Sequence, residues 1–279
     1  MNLKNDIGPK EKIAIIGSAI SFILFSIVLY FSNISVESIV NIQNNILKTL
    51  IIQDTGITSS ILYLLNSFFL ILLSIILLVL GFAFLSSYGY YNNVNKIGMI
   101  SSIISAIFIL ILLKFSIMSF FISVGIIISS IYIIQLSNTY GKELKRWIFF
   151  RVGSNSISKT FLILNILIAL GIFITVHANI SVYEQNFRND IIKTMTDVAI
   201  KTVPESQRAL LTNEMKENIK IQVENSINNS EIFRTYIKWL PITTALSIWI
   251  ILEFLRGIIL SNIGGLFTTI LIRLNRKIK

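Results

Sequence analysis

The chain has 279 residues, of which 54% are hydrophobic and only 14% charged, against roughly 25% charged in a soluble domain. It carries a net charge of +10, no cysteine and one histidine, His177. Disulfides, thiolate chemistry and multi-histidine metal sites are thereby excluded, and no cofactor is expected. The positive charges flank apolar runs, which points to orientation in a membrane and contact with anionic lipid rather than to nucleic acid.

Lys4, Lys10 and Lys12 precede an apolar run from Ile13 to Phe31. The run is too long for the apolar part of a signal peptide, and no small-x-small cleavage pattern follows it. It reads as a retained first span, 13–32. In the loop after it, Ser35 suits a helix cap and Glu37 the first turn. Ile39, Ile42, Ile46 and Leu50 then recur at helical spacing, which predicts an outer amphipathic helix over about 35–52, with Gly56 as its terminator.

A second span is predicted at 61–86, with Asn66 inside it. The stretch 97–136 is almost uninterruptedly apolar. Forty residues of helix rise ~60 Å, twice a hydrocarbon core of ~30 Å. Two spans, 97–115 and 117–136, with a turn at Lys114-Phe115-Ser116 fit that length. Small residues recur at close spacing: Gly17 with Ser21, Ser101 with Ser105, Ser119 with Ser123, and Gly125 with Ser129. Such pairs let helix backbones approach.

The 137–159 connection holds Lys142, Lys145, Arg146, Arg151 and Lys159 against one acid, Glu143. Within it, Lys145-Arg146-Trp147-Ile148-Phe149-Phe150-Arg151 mixes bases with aromatics, as a contact with anionic headgroups would. A fifth span, 160–178, carries Asn165 and ends near His177, which reads as an interfacial histidine.

The segment 179–237 has seven Lys/Arg and eight Asp/Glu, so it lacks a positive bias. Tyr183, Phe187, Ile191, Met195 and Val198 form one apolar stripe. Thr202-Val203-Pro204-Glu205 looks like a capping box opening another helix. Leu211, Met215, Ile219, Val223 and Ile227 form the second stripe. These outer stripes are expected to pack on one another, on the 36–52 helix or on the membrane surface; a second protein or a second copy is the sharper alternative.

The sixth span is placed at 239–259. Glu253 lies 14 residues after Trp239, ~21 Å deep at 1.5 Å per residue. Arg256 follows at i+3 and is its expected partner, an ion pair at the inner edge of the membrane. Glu253, Arg256, Asn66 and Asn165 are the polar groups that could form an intramembrane site. Beyond Arg256 a break near Gly264-Gly265 is expected, followed by a basic helix lying in the interface. Leu266, Phe267, Ile270, Leu271, Leu274 and Ile278 would share its apolar face, and Thr268, Thr269, Arg273, Arg276 and Lys277 the other. Headgroup contacts are assigned to Lys145, Arg146, Arg151, Arg273, Arg276 and Lys277.

The basic clusters at the N-terminus, at 137–159 and at the C-terminus share one side only with an even number of spans between them. The expected product is an all-α, polytopic integral membrane protein with six spans. Both termini are cytoplasmic, and a prokaryotic plasma membrane is the default location. It divides into a membrane part, 1–178, an extracytoplasmic helical segment, 179–237, and a last span with its basic helix, 238–279. Asn-x-Ser sequons at Asn33, Asn179 and Asn228 all fall outside in this topology, but chance explains them best in a chain so rich in Asn and Ser.

One internal repeat is visible. Asn33-Ile34-Ser35-Val36 matches Asn179-Ile180-Ser181-Val182, an offset of 146, and Asn45-Ile46-Leu47-Lys48-Thr49-Leu50 matches Asp190-Ile191-Ile192-Lys193-Thr194-Met195, an offset of 145. One unit of span and outer helix built twice would produce this. No Ser-His-Asp set and no intramembrane carboxylate pair can be assembled, so an enzyme is not expected. The leading expectation is a non-enzymatic membrane scaffold or accessory subunit in contact with anionic lipids and, through its outer helices, with a protein partner or a second copy. A small-solute or ion transporter or channel is the alternative.

Overall fold

The computed structural model describes residues 8–33, 35–52, 57–204, 206 and 212–277, and within these the side chains of 47–52, 57–68 and 277 are not described. Every regular element among the described residues is a helix. In chain order they are α1 (Pro9–Phe31), α2 (Val36–Ile52), α3 (Ile57–Tyr91), α4 (Lys96–Leu112), α5 (Ile117–Glu143), α6 (Ile148–Ala178) and α7 (Ile180–Thr202). Then follow α8 (Asn213–Asn228), α9 (Glu231–Leu255), a π-helical turn (Arg256–Leu260) and α10 (Ser261–Lys277). Among the described residues, five stretches are long and apolar enough to cross a membrane: Pro9–Phe31, Phe69–Tyr91, Ile117–Glu143, Ile148–Ala178 and Glu231–Arg276. Lys96–Leu112 is apolar but shorter. This composition is that of a multi-pass membrane protein.

Local chemistry sets the helix ends. The Glu11 carboxylate accepts from the Gly8 N–H at 3.1 Å, and Pro9 stands where its missing donor is not needed. Ser35 Oγ accepts from the Ser38 N–H at 3.1 Å and opens α2. Between α4 and α5 the chain reverses through Lys114 and Phe115, both left-handed at φ 55° and 49°, and Ser116 Oγ caps α5 by accepting from the Ser119 N–H at 3.1 Å. The reversal falls at the Lys114-Phe115-Ser116 turn expected from helix length.

Two expectations are corrected. The connection at 137–159 is mostly helix: α5 runs to Glu143 and α6 begins at Ile148. The capping box expected at Thr202-Val203-Pro204-Glu205 falls partly outside the described residues, and Ser206, just after it, is helical; the Thr202 hydroxyl turns back to the Ala199 carbonyl at 2.7 Å, and α8 opens at Thr212, whose Oγ1 accepts from the Met215 N–H at 3.3 Å. Glu205 and Leu211 lie outside the described residues. Finally, there is no break at Gly264-Gly265. Helix continues from Glu231 to Lys277, and its one departure from α geometry is the π turn at Arg256–Leu260.

That continuity has a packing cause. The buried face of α10 mixes glycine, polar and apolar residues: Thr268 and Ile272 are fully buried and Asn275 nearly so. Leu266, Ile270 and Leu274 instead stand exposed at 57%, 54% and 52%. A Cβ on Gly153 of α6 would come within 2.4 Å of the Thr268 side chain and 3.0 Å of the Gly264 carbonyl oxygen. The two glycines therefore serve close backbone approach between α6 and α10 rather than a chain break.

The chain forms two compact units. The first comprises Met1–Ile34, Leu62–Gly171 and Leu246–Lys279, the second Ser35–Ile61 and Ile172–Ala245. In the first, Phe22, Phe82 and Phe161 pack edge to face about a core that includes Val79, Ile126 and Leu164. Buried hydroxyls join its helices: Ser18 of α1 bonds Ser101 of α4, and Ser137 of α5 lies 2.8 Å from Ser86 of α3 and 3.0 Å from Ser156 of α6. In the second, Phe187, Ile191 and Ile192 of α7 enclose a core with Ile227 of α8 and with Phe233 and Ile237 of α9. Tyr236 donates to Asn44 Oδ1 of α2 at 2.7 Å. Of the two stripes read from the sequence, Tyr183, Phe187 and Ile191 are buried and Met195 packs on their core, whereas Val198 and Met215 are exposed.

Candidate functional site

Two features of the first unit gather chemistry. The first is a polar cluster between α6 and the end of α9. Asn165, almost wholly buried, donates from Nδ2 to Glu253 Oε1 at 2.9 Å. Arg256 donates from Nε to Glu253 Oε2 at 2.8 Å and holds the same oxygen at 2.6 Å from Nη2. Its Nη1 donates to Ser158 Oγ at 2.7 Å. Each carboxylate oxygen thus has a fixed donor, and each partner comes from α6 or from the next turn of the same helix.

Three of the four polar groups singled out in the sequence therefore meet: Glu253, Arg256 and Asn165. The Asn66 side chain is not among those described. The expectation of an inner-edge position for the pair rests on its count of residues from Trp239. The helix runs on from the pair to Lys277, and Thr268 and Asn275, beyond it, are still buried among α6 and α3. The pair lies within the bundle. Ser158 escaped the sequence reading. It precedes Asn165 by two helical turns, so both lie on one face, and an antiparallel neighbour with acceptor and donor at i and i+3 reaches both.

The second feature is a groove at one end of the unit. Lys145, Arg273 and Arg276 line it together with Tyr90, Trp147, Phe149, Phe150 and Thr269, around a cavity of about 360 Å³. The Arg276 guanidinium stands 4.6 Å over the Phe149 ring, and Tyr90 meets that ring edge-on at 5.4 Å. Of the six residues assigned to headgroup contact, Lys145, Arg273 and Arg276 converge here. Arg146 and Arg151 are exposed but do not line the groove, and the Lys277 side chain is not described. Phe149 belongs to the stretch of bases and aromatics read from sequence as a headgroup contact, whereas Tyr90 gave no signal there because it comes from a different helix.

This end also gathers the beginnings and ends of five helices. Tyr88 near the end of α3 donates to Glu11 at the start of α1 at 3.2 Å, and Lys10 sits 5.1 Å over the Tyr91 ring. Asn138 of α5 donates to the Gly89 carbonyl at 3.3 Å, and Tyr91 donates to the Ile272 carbonyl of α10 at 3.1 Å. The bases around Lys10, around Lys145 and around Arg273 consequently share one end of the first unit.

The chain matches no protein-family model, no curated protein and no solved structure.

Proposed function

We propose that the chain is a non-enzymatic membrane scaffold or accessory subunit that crosses the plasma membrane six times with both termini in the cytoplasm. The observation that carries this reading is the state of Glu253. Both of its oxygens are occupied by donors that tie α6 to α9, Asn165 on one and Arg256 on the other. Glu253 is thus used to join helices, whereas a relay needs a group open to a water path. The shared end of the three basic clusters supports an even number of crossings and a cytoplasmic side for that end. Helix α4 supplies the extra crossing at 17 residues, ~25 Å of rise. The 179–237 segment then lies outside and offers a contact surface for a protein partner or a second copy, while the basic residues meet anionic lipid. Both Asn-Ile-Ser-Val phrases mark a helix junction, α1 to α2 and α6 to α7, which supports a duplicated span and outer helix.

One observation favours the second reading, a small-solute or ion transporter. The π turn begins at Arg256, three residues after Glu253, and such turns recur at functional sites. Reconstitution of wild type and Glu253→Gln in liposomes separates the two. The scaffold reading expects no proton or monovalent-cation flux that depends on Glu253; a robust wild-type flux lost in a stably folded Glu253→Gln would replace it with transport. Topology is checked in the cysteine-free chain with single replacements. An impermeant thiol reagent should label Glu217→Cys in intact cells and Arg146→Cys only after permeabilisation.

A further inference from the structure

We propose that the groove between the start of α6 and the end of α10 is a binding site for a phosphate group, carried by an anionic lipid headgroup or free in solution. This deepens the reading that the basic end contacts anionic lipid, and rests on it. Lys145, Arg273 and Arg276 face one cavity of about 360 Å³ whose lining contains no acid. Among the described residues, none of the three forms an ion pair. Gathering three cations without a counter-charge is unfavourable, and a bound anion offsets it.

The geometry selects phosphate among anions. Two of the three cations are arginines, whose planar forks match phosphate oxygens in pairs. Arg276 is held in advance by the Phe149 ring at 4.6 Å, itself held edge-on by Tyr90, so little side-chain freedom is lost on binding. Trp147 stands beside these cations with 82% of its surface exposed and a left-handed backbone at φ 53°. A large aromatic at positive φ is a strained placement. An exposed indole next to bases is what the headgroup level of a bilayer accommodates.

The test uses the full-length chain in uncharged detergent and reads binding by native mass spectrometry. Dioctanoyl phosphatidylglycerol, dioctanoyl phosphatidylcholine and inorganic phosphate are the probes. One saturable site for the anionic lipid is expected, weakened roughly tenfold or more by Arg273→Gln with Arg276→Gln, since two charge-assisted contacts are lost. Arg276→Lys keeps the charge but not the fork, and should weaken binding by a smaller factor. Lys142→Gln removes a charge at the same end but outside the groove, and should leave affinity within about twofold. If inorganic phosphate competes, the phosphate group alone suffices; if it does not while the lipid binds, the headgroup within its lipid is the ligand. Equal weakening by Lys142→Gln would sink the groove and leave general lipid contact standing. No preference for the anionic over the zwitterionic lipid would sink the lipid reading, and no binding of inorganic phosphate besides would sink the groove as well. Should the double variant not fold, Lys145→Gln carries the same test.

Discussion

The two compact units hold together by different mixes of contact. In the first, glycine and serine add close backbone approach to a core of large side chains such as Phe22, Phe82 and Phe161. A Cβ on Gly89 would lie 2.7 Å from the Ile134 carbonyl oxygen, and one on Gly98 2.4 Å from that of Ser130. In the second, the contact is made by large side chains: Phe187 stacks on Phe233 at 5.8 Å amid Ile191, Ile192, Ile227 and Ile237. Ion pairs such as Arg188–Glu184 lie at its surface. On the proposed topology, the difference follows from the solvent each surface is built for. Lipid gives no reward for burying a leucine, so close approach and interhelical hydrogen bonds must hold the helices. Water gives that reward, and large apolar side chains collect it. Leu266, Ile270 and Leu274 facing outward in the first unit, and Lys193, Lys216 and Glu217 in the second, agree with this division.

The comparison breaks most visibly at Phe187. Phe187→Ala should destabilise the second unit by about 4 kcal/mol, through lost burial and the cavity left behind. Hydrogen exchange should then accelerate in α7 and α8 while the amides of α3 and α5 keep their protection. Uniform loss of protection in both units would mean that they do not hold together by separate means.

Next in size is the polar staple of the first unit. Glu253→Gln leaves the Arg256 guanidinium within the bundle without its counter-charge, and should cost roughly 3 kcal/mol. Arg256→Gln should cost less once Glu253 is already Gln, because the two act as one pair. Unfolding in detergent of the two single variants and the double variant measures this coupling, and strictly additive losses would show that the pair contributes nothing as a pair.

Much of this was legible in the sequence, and what was not has a common cause. The helices, the reversal at Lys114-Phe115-Ser116, the cap at Ser35 and the pairing of Glu253 with Arg256 follow from periodicity, length and i+3 spacing, which are local. One error arose where a local sign has two meanings. Gly264-Gly265 reads as a break in a chain surrounded by water, but between packed helices it is a contact surface. The stripe Leu266, Ile270, Leu274 reads as a lipid-facing side, and these three residues stand exposed. The convergence of Asn165 and Ser158 on Glu253, and of Tyr90 on the basic groove, needed the relative placement of distant helices, which no single window of sequence contains.

A smaller effect separates glycines that pack from one that does not. Gly98→Ala would set a methyl group 2.4 Å from the Ser130 carbonyl oxygen. Backbone cannot turn aside as a side chain can, so α4 and α5 must part, at about 2 kcal/mol. Gly257 has no atom within 4 Å of its Cβ position. Gly257→Ala should therefore be neutral or stabilise by up to about 0.5–1 kcal/mol through helix propensity. Unfolding midpoints in one detergent compare the two variants. Equal effects would remove close packing as the explanation for the glycines of the first unit.

The smallest expected effect concerns charge in the second unit. The Tyr183 hydroxyl is held above its usual value of 10.0, first by burial and then by the nearby carboxylate of Glu37. A raised tyrosine keeps its proton in the folded chain at a pH where the unfolded chain has begun to lose it. Its contribution to stability is thus complete below the unfolded value and is lost as pH rises through the folded one. The stability difference between wild type and Tyr183→Phe should be constant below about pH 9 and turn in favour of the phenylalanine variant above about pH 10. Glu37→Gln should lower the Tyr183 value but not return it to 10.0, because burial, the larger cause, remains. Isotope-labelled tyrosine NMR, with Tyr183→Phe assigning the resonance, follows that titration directly. A Tyr183 resonance that titrates at the ordinary value, or an unchanged one in Glu37→Gln, would show that α2 and α7 do not meet in the way that places Glu37 beside Tyr183.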